Sequence, residues 1–195
     1  MKNAPRSLRL IGLTGSMASG KSTVLAQLAK RGAYTLSADE LVRELYKTPV
    51  VRRWLVTHLG SCEPAQVAKR VFADQNLRQQ LEKFLHPRTW RLALKKLAAC
   101  RRPFAVLEVP LLFEAGWDPK MDLTVLVTAD DNTLSARLKT RAITPQEYAT
   151  RRQTQLSEAE KIRRADIVLL NNGTKRTLQQ KADRLYDALT DLYVK

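Results

Sequence analysis

The segment Gly15-Ser16-Met17-Ala18-Ser19-Gly20-Lys21-Ser22 constrains this chain more than any other. It fits G-x-x-x-x-G-K-[ST] at every fixed position. Before it runs Leu8 to Thr14, apolar and rich in β-formers. After it, Val24, Leu25, Leu28 and Ala29 recur at helical spacing up to Arg31, with Gly32 as the stop. Strand, glycine-rich turn and helix are the context this motif requires. Glycine lets the backbone wrap a phosphate chain with its N–H groups, and the helix N-terminus adds a positive dipole end. In such a loop the lysine, Lys21, reaches the β- and γ-phosphates, and the hydroxyl of Ser22 ligates Mg²⁺. Residues Gly15 to Ser22, with Thr23, are therefore expected to bind ATP.

The rest of the chain alternates in the same manner. Tyr34–Leu36, Phe104–Val109, Leu123–Val127 and Ile167–Leu170 read as further strands, and Ala38–Tyr46, Thr133–Arg141 and Leu178–Tyr193 as helices. Capping-box patterns stand at Ser37 with Glu40, Thr144 with Glu147 (Pro145 at the first helical position), and Ser157 with Glu160. From Val50 to about Cys100 the character is helical, with a break expected at Pro87. This order predicts an α/β fold: a five-stranded parallel sheet with helices on both faces, a helical lobe and a helical lid, which the resemblance described below makes a sheet of P-loop kinase type with an acceptor-binding lobe. The expected single domain comprises a core (about 1–46, 101–136 and 165–195), a lobe (about 47–100) and a lid (about 137–164).

Composition narrows the setting. A length of 195 residues suits one domain with an inserted lobe. Cys62 and Cys100 have neither disulfide-framework nor metal-ligand spacing and are expected as buried, inert thiols. The longest apolar stretch, Phe104 to Phe113, is broken by Glu108 and Pro110, so no membrane segment is expected and a cytoplasmic location is. The net charge of +15 is spread over short basic pairs and selects anionic partners without saying which.

A P-loop alone does not separate kinases from ATPases or helicases; the acceptor side does. Asp39 follows the second strand, and ligands in such sheets lie outside the strand C-termini. A carboxylate there can orient an acceptor hydroxyl, take its proton, or hold a water of the Mg²⁺ shell. It can equally be a first-turn acid that suits the helix dipole. Arg137 and Arg141, one helical turn apart, are either a solvated face or phosphate contacts. Trp54, Trp90 and Trp117 are expected to pack.

Several segments together resemble the dephospho-CoA kinase family. Ile11-Gly-Leu-Thr-Gly15 runs into Gly20-Lys-Ser-Thr23, followed by Ala38-Asp39 with Arg43, Leu85-His86-Pro87 and Val109-Pro-Leu-Leu-Phe-Glu114. Arg137, Arg141, Arg151, Gln155, Lys161, Ala165-Asp166 and Asn171-Asn172-Gly173 continue in the same order. The resemblance implies ATP-dependent phosphorylation of the ribose 3′-hydroxyl of dephospho-CoA, with Mg²⁺ as cofactor and these two small molecules as substrates. It implies no specific nucleic-acid or membrane partner, and we expect a monomer or weak oligomer. It assigns Lys21, Asp39 and Arg141 to catalysis; Asp39, Arg43 and His86 to the acceptor; and Asn171 and Gly173 to the border of the ATP adenine. Glu108 would hold Mg²⁺ through water, beside Ser22. The family's first acid of Asp-Ala-Asp is Ser37 here, and its Asp-Arg pair before Val71-Phe72 is missing, leaving Lys69 or Arg70 as substitutes for the acceptor-side arginine. A competing reading, a nucleic-acid-dependent ATPase, rests on the charge alone, since no second helicase motif or recognised nucleic-acid module is present.

Overall fold

The computed structural model of the chain describes residues 8–139 and 155–194. Its elements run β1 (Arg9–Thr14), α1 (Lys21–Lys30), β2 (Tyr34–Ser37), α2 (Ala38–Tyr46), α3 (Pro49–Leu59), α4 (Pro64–Ala73), α5 (Gln75–Leu97), β3 (Phe104–Glu108), β4 (Leu123–Thr128), α6 (Asp131–Lys139), α7 (Glu158–Arg164), β5 (Ile167–Leu170) and α8 (Lys175–Tyr193). The cap pattern at Thr144 to Glu147, Arg141 and Arg151 lie outside the described residues.

The strands form one five-stranded parallel sheet in the order β2-β3-β1-β4-β5. Its centre is β1, paired in parallel with β3 (Arg9 opposite Phe104, Leu13 opposite Glu108) and with β4 (Ile11 opposite Leu123, Thr14 opposite Leu126). A strand covered on both faces is apolar throughout, as Leu10 to Leu13 are. Toward one face, Ile11 and Leu13 pack with Val24 and Leu28 of α1 and with Leu178, Ala182, Leu185 and Leu189 of α8. Each such leucine or isoleucine, fully buried, contributes about 1.5–3 kcal/mol. The opposite face is covered too, since a Cβ added to Gly12 would lie 2.8 Å from Met121 Cγ and 3.1 Å from Leu112 Cδ2. At the sheet's margin Asp166 accepts from the backbone N–H and the hydroxyl of Thr124, both at 2.7 Å, which ties the starts of β4 and β5 together. Gly32 does stop α1: with φ +101° it lets its own N–H reach Ala29 O and the N–H of Ala33 reach Leu28 O.

Contacts divide the chain into two compact units, one of residues 1–36 with 100–195 and one of Ser37–Ala99. The division falls at 36/37, not near 46 where the sequence reading placed it. The reason is that α2 packs against α5 inside the helical unit. That unit has its own core of Val51, Leu55 and Leu59 from α3, Val67 from α4, and Leu81 and Leu85 from α5. Trp54 stacks on His58 (4.3 Å between centroids) and on Phe84 (4.5 Å).

Three expectations need correction. Helix α5 does not break at Pro87 but runs from Gln75 through to Leu97. A proline removes one backbone donor and disturbs the carbonyls of the preceding turn. Here the side chains just after it bond back to that turn. Arg88 Nη1 donates to Phe84 O at 2.7 Å and Thr89 Oγ1 to Leu85 O at 3.0 Å. At α2, Ser37 occupies the N-cap position, but its side chain makes no capping bond, and Asp39 and Glu40 supply the acidic first turn instead. By contrast, the Ser157 hydroxyl does accept from Glu160 N–H at 3.2 Å. Finally, Cys62 and Cys100 are free thiols, as expected, but half-buried rather than buried.

Candidate functional site

The loop after β1 is held open by backbone geometry that glycine permits. Gly15 has φ +147° and Gly20 φ +109°. A Cβ on Gly15 would fall 2.1 Å from Val127 O, and one on Gly20 2.6 Å from Asn171 Nδ2. Both positions therefore exclude side chains on conformation and on space. Ala18 also lies at positive φ, +62°. Ser22 and Thr23 then open α1, with Ser22 exposed.

Lys21 folds back over the loop, its Nζ donating to Gly15 O at 2.7 Å and Ser16 O at 3.0 Å. Asn171 is nearly buried and locks the loop from the β5 side. Its Nδ2 donates to Ser19 O at 2.7 Å, and its N–H to Thr128 O at 2.7 Å. Arg137 on α6 donates to Asn171 O at 3.0 Å, Gly173 O at 3.3 Å and Ala18 O at 3.4 Å. The structure thus gives Arg137 a bracing role between the loop and the Asn171–Gly173 turn, on main-chain carbonyls. Gly173 itself is exposed.

Beneath the loop lies a charged cluster that the sequence reading did not assemble. The Ser16 hydroxyl donates to Glu158 Oε2 at 2.7 Å and accepts from Lys161 Nζ at 3.2 Å. Lys161, 2% exposed, also donates to Gln155 Oε1 at 2.8 Å. Its Nζ stands 3.8 Å from Glu158 and 4.0 Å from Glu114. Ser16 and Glu158 are far apart in sequence, so no local spacing advertises the pair.

Glu108, 8% exposed, ends β3 opposite Leu13, two residues before Gly15. Mg²⁺ takes oxygen ligands and keeps several waters, with one or two protein ligands and substrate phosphates completing the shell. The exposed Ser22 hydroxyl and a carboxylate at the sheet's carboxyl edge are oxygen donors of that kind. Among the described residues no three His, Cys, Asp or Glu side chains cluster to hold a metal on their own. Phosphate and water oxygens would thus supply most of the shell.

In the helical unit, a cavity of about 720 Å³ is lined by Asp39, Arg43, Tyr46, Arg52, Val67 and Leu81, among others. Asp39 and Arg43 are exposed one helical turn apart on α2, so the structure brings these two together. His86, on α5, is not part of the lining. Neither are Lys69 and Arg70; the additional arginine in the wall is Arg52, which donates to Cys62 Sγ at 3.6 Å. Burial pushes the Tyr46 phenol above its ordinary pKa, so it stays a neutral hydroxyl in the wall.

The family model for dephospho-CoA kinase matches residues 9–177. A dephospho-CoA kinase of Symbiobacterium thermophilum is 41% identical over 181 residues, covering 86% of this chain and 75% of the relative. One of Protochlamydia amoebophila is 36% identical, covering 93% and 97%. Among solved structures, a Thermus thermophilus protein superimposes with a TM-score of 0.82 at 32% identity, covering 94% of this chain and 98% of that one. A Bacteroides thetaiotaomicron shikimate kinase, at 16% identity and a TM-score of 0.55, shares the fold.

Proposed function

Because this chain belongs to the dephospho-CoA kinase family, we propose that it transfers the γ-phosphoryl group of ATP to the ribose 3′-hydroxyl of dephospho-CoA. The products are coenzyme A and ADP, which makes this the last step of coenzyme A synthesis. The observation that carries the donor half is the loop itself, whose glycines are sterically compelled and whose lysine is already at its rim.

On nucleotide binding, the loop N–H groups take the phosphate oxygens. Lys21 exchanges the carbonyls of Gly15 and Ser16 for the β- and γ-phosphates, where its charge is best used as negative charge shifts in the transition state. Ser22 and, through water, Glu108 would hold Mg²⁺, which would supply screening of the triphosphate charge. Asp39 orients the acceptor hydroxyl and takes its proton as the new O–P bond forms and the bond to the β-phosphate oxygen breaks. Arg43, with Arg52, supplies positive charge to the anionic acceptor. Arg141 stabilises the transferring group from the lid, while Asn171 and Gly173 border the adenine. The enzyme acts in the cytoplasm as a monomer or weak oligomer. Among the described residues no helix is long and apolar enough to cross a membrane.

An acceptor panel with ATP and Mg²⁺ tests the reading. ADP should appear only when dephospho-CoA is added, with coenzyme A in equal amount. No stimulation by dephospho-CoA, with another alcohol accepted instead, would overturn it.

A further inference from the structure

Ser16, the second residue of the phosphate-binding loop, is the meeting point of two lysines. Its carbonyl accepts from Lys21 Nζ at 3.0 Å, and its hydroxyl accepts from Lys161 Nζ at 3.2 Å while donating to Glu158 at 2.7 Å. A lysine as deep as Lys161 is rare unless paired. Here it is set between the carboxylates of Glu158 and Glu114 and bonded to Gln155. Glu114 is itself fixed, accepting from Leu156 N–H at 2.9 Å. Two residues of the short segment Gln155 to Lys161, Glu158 and Lys161, thus meet on one loop hydroxyl, and the reaction as derived above gives neither a step.

The state with nucleotide bound supplies a reason. When Lys21 moves to the phosphates, the loop loses the tether on its Gly15 and Ser16 carbonyls. Its N–H groups must keep their directions at that same moment, because phosphate binding depends on them. The remaining side-chain anchor of Ser16 is then its hydroxyl.

We propose that Lys161, together with Glu158 and Glu114, is a positioning residue that acts through the Ser16 hydroxyl to hold the phosphate-binding loop in shape for the nucleotide. This rests on the kinase reading only in taking a nucleotide as the ligand of the loop.

The test is calorimetric titration of ADP at 25 °C into the wild type, Lys161→Met, Ser16→Ala and the double variant, with folding checked by circular dichroism. Methionine keeps the length and packing of the side chain and removes its donors. Loss of a hydrogen bond to a charged group should weaken ADP about tenfold in Lys161→Met. Ser16→Ala should weaken it similarly, and the double variant should be within about twofold of Lys161→Met alone, because both changes break one linkage. Wild-type affinity in a folded Lys161→Met, or full multiplication of the two losses, would overturn the proposal. A purely structural lysine would lower the melting temperature and leave the ADP dissociation constant at 25 °C unmoved. If Lys161→Met does not fold, Glu158→Gln takes its place in the same cycle, with the same expected and overturning results. No acceptor is present, so the outcome is independent of the substrate assignment, whose failure would appear as intact ADP binding without transfer to dephospho-CoA.

Discussion

The sheet unit and the helical unit handle polar groups in opposite ways. In the sheet unit, the side chains that brace the loop after β1 are tied to main-chain carbonyls or to a loop hydroxyl. Lys21, Arg137 and Asn171 hold carbonyls, and Lys161 holds a hydroxyl. In the helical unit, the cavity is walled largely by apolar side chains such as Val67 and Leu81, and its charged side chains, Asp39, Arg43, Lys47, Arg52 and Glu63, are exposed. On the proposed function, the difference follows from what each receives. A triphosphate is recognised by donors of fixed direction, which must be preorganised. A larger acceptor with apolar stretches is recognised mostly by surface, with a few charges for orientation.

Four changes would break or sharpen this contrast. Lys21→Ala removes a cation from the phosphate-binding loop, and turnover should fall about 10³-fold, or about 4 kcal/mol, with a folded protein. A coupled assay of ADP release measures it. Asp39→Asn should lower kcat about 10²-fold while leaving the dissociation constant of ADP unchanged, since the acceptor carboxylate is not part of the phosphate loop. Full turnover in that variant would remove Asp39 from its proposed role. Leu81→Ala enlarges the cavity and trims the core of the helical unit. Chemical denaturation should show a loss of about 2 kcal/mol, and the KM for the acceptor should rise more than that for ATP. The smallest effect is expected at Asp183, on α8, which accepts from Gln27 Nε2 on α1 at 2.8 Å and faces Arg31. The Gln27 hydrogen bond and then the Arg31 contacts lower its pKa below the usual 3.8. A depressed carboxylate stabilises the fold above its unfolded pKa, and that contribution is lost as pH falls through the folded pKa. Asp183→Asn should therefore be slightly less stable than wild type at pH 7, and the gap should close as melts are taken from about pH 5 down to pH 2.

How much of this was legible beforehand depended on whether the signal was local. Strand β5 and helix α2 were bounded correctly, because apolar runs and turn residues announce them. The loop was legible because its motif is written in eight consecutive residues. Pro87 was misread because the buried face of α5 continues across it, through Leu81, Leu85, Thr89, Ala93 and Leu97, and that packing is not written in the local rule for proline. The allegiance of α2 was hidden because it is decided by packing against α5. Lys161 was noticed only as one of several matching positions. Nothing in an ordinary basic helix end says that one lysine is 2% exposed, and only the meeting of Gln155, Glu158 and Glu114 around it makes that tolerable. Arg52 was overlooked because a basic residue on a basic helix carries no mark of the wall it faces.

The sheet order has a consequence for how the chain is made. The central strand β1 is flanked by β3 and β4, both of which lie beyond the whole of the helical unit in sequence. During synthesis, Arg9 to Thr14 emerge early, and the strands that will flank them are translated only after Ala99. The core of the helical unit is built from residues within Ser37–Ala99, whereas β1 must wait for partners of high sequence separation, which are slow to find. At about 5–20 residues per second, an apolar strand stays without its neighbours for several seconds. Strand β1 is therefore an apolar nascent segment left without its pairing strands while the helical unit is made, and a chaperone that captures extended apolar chains would meet it before any nucleotide could.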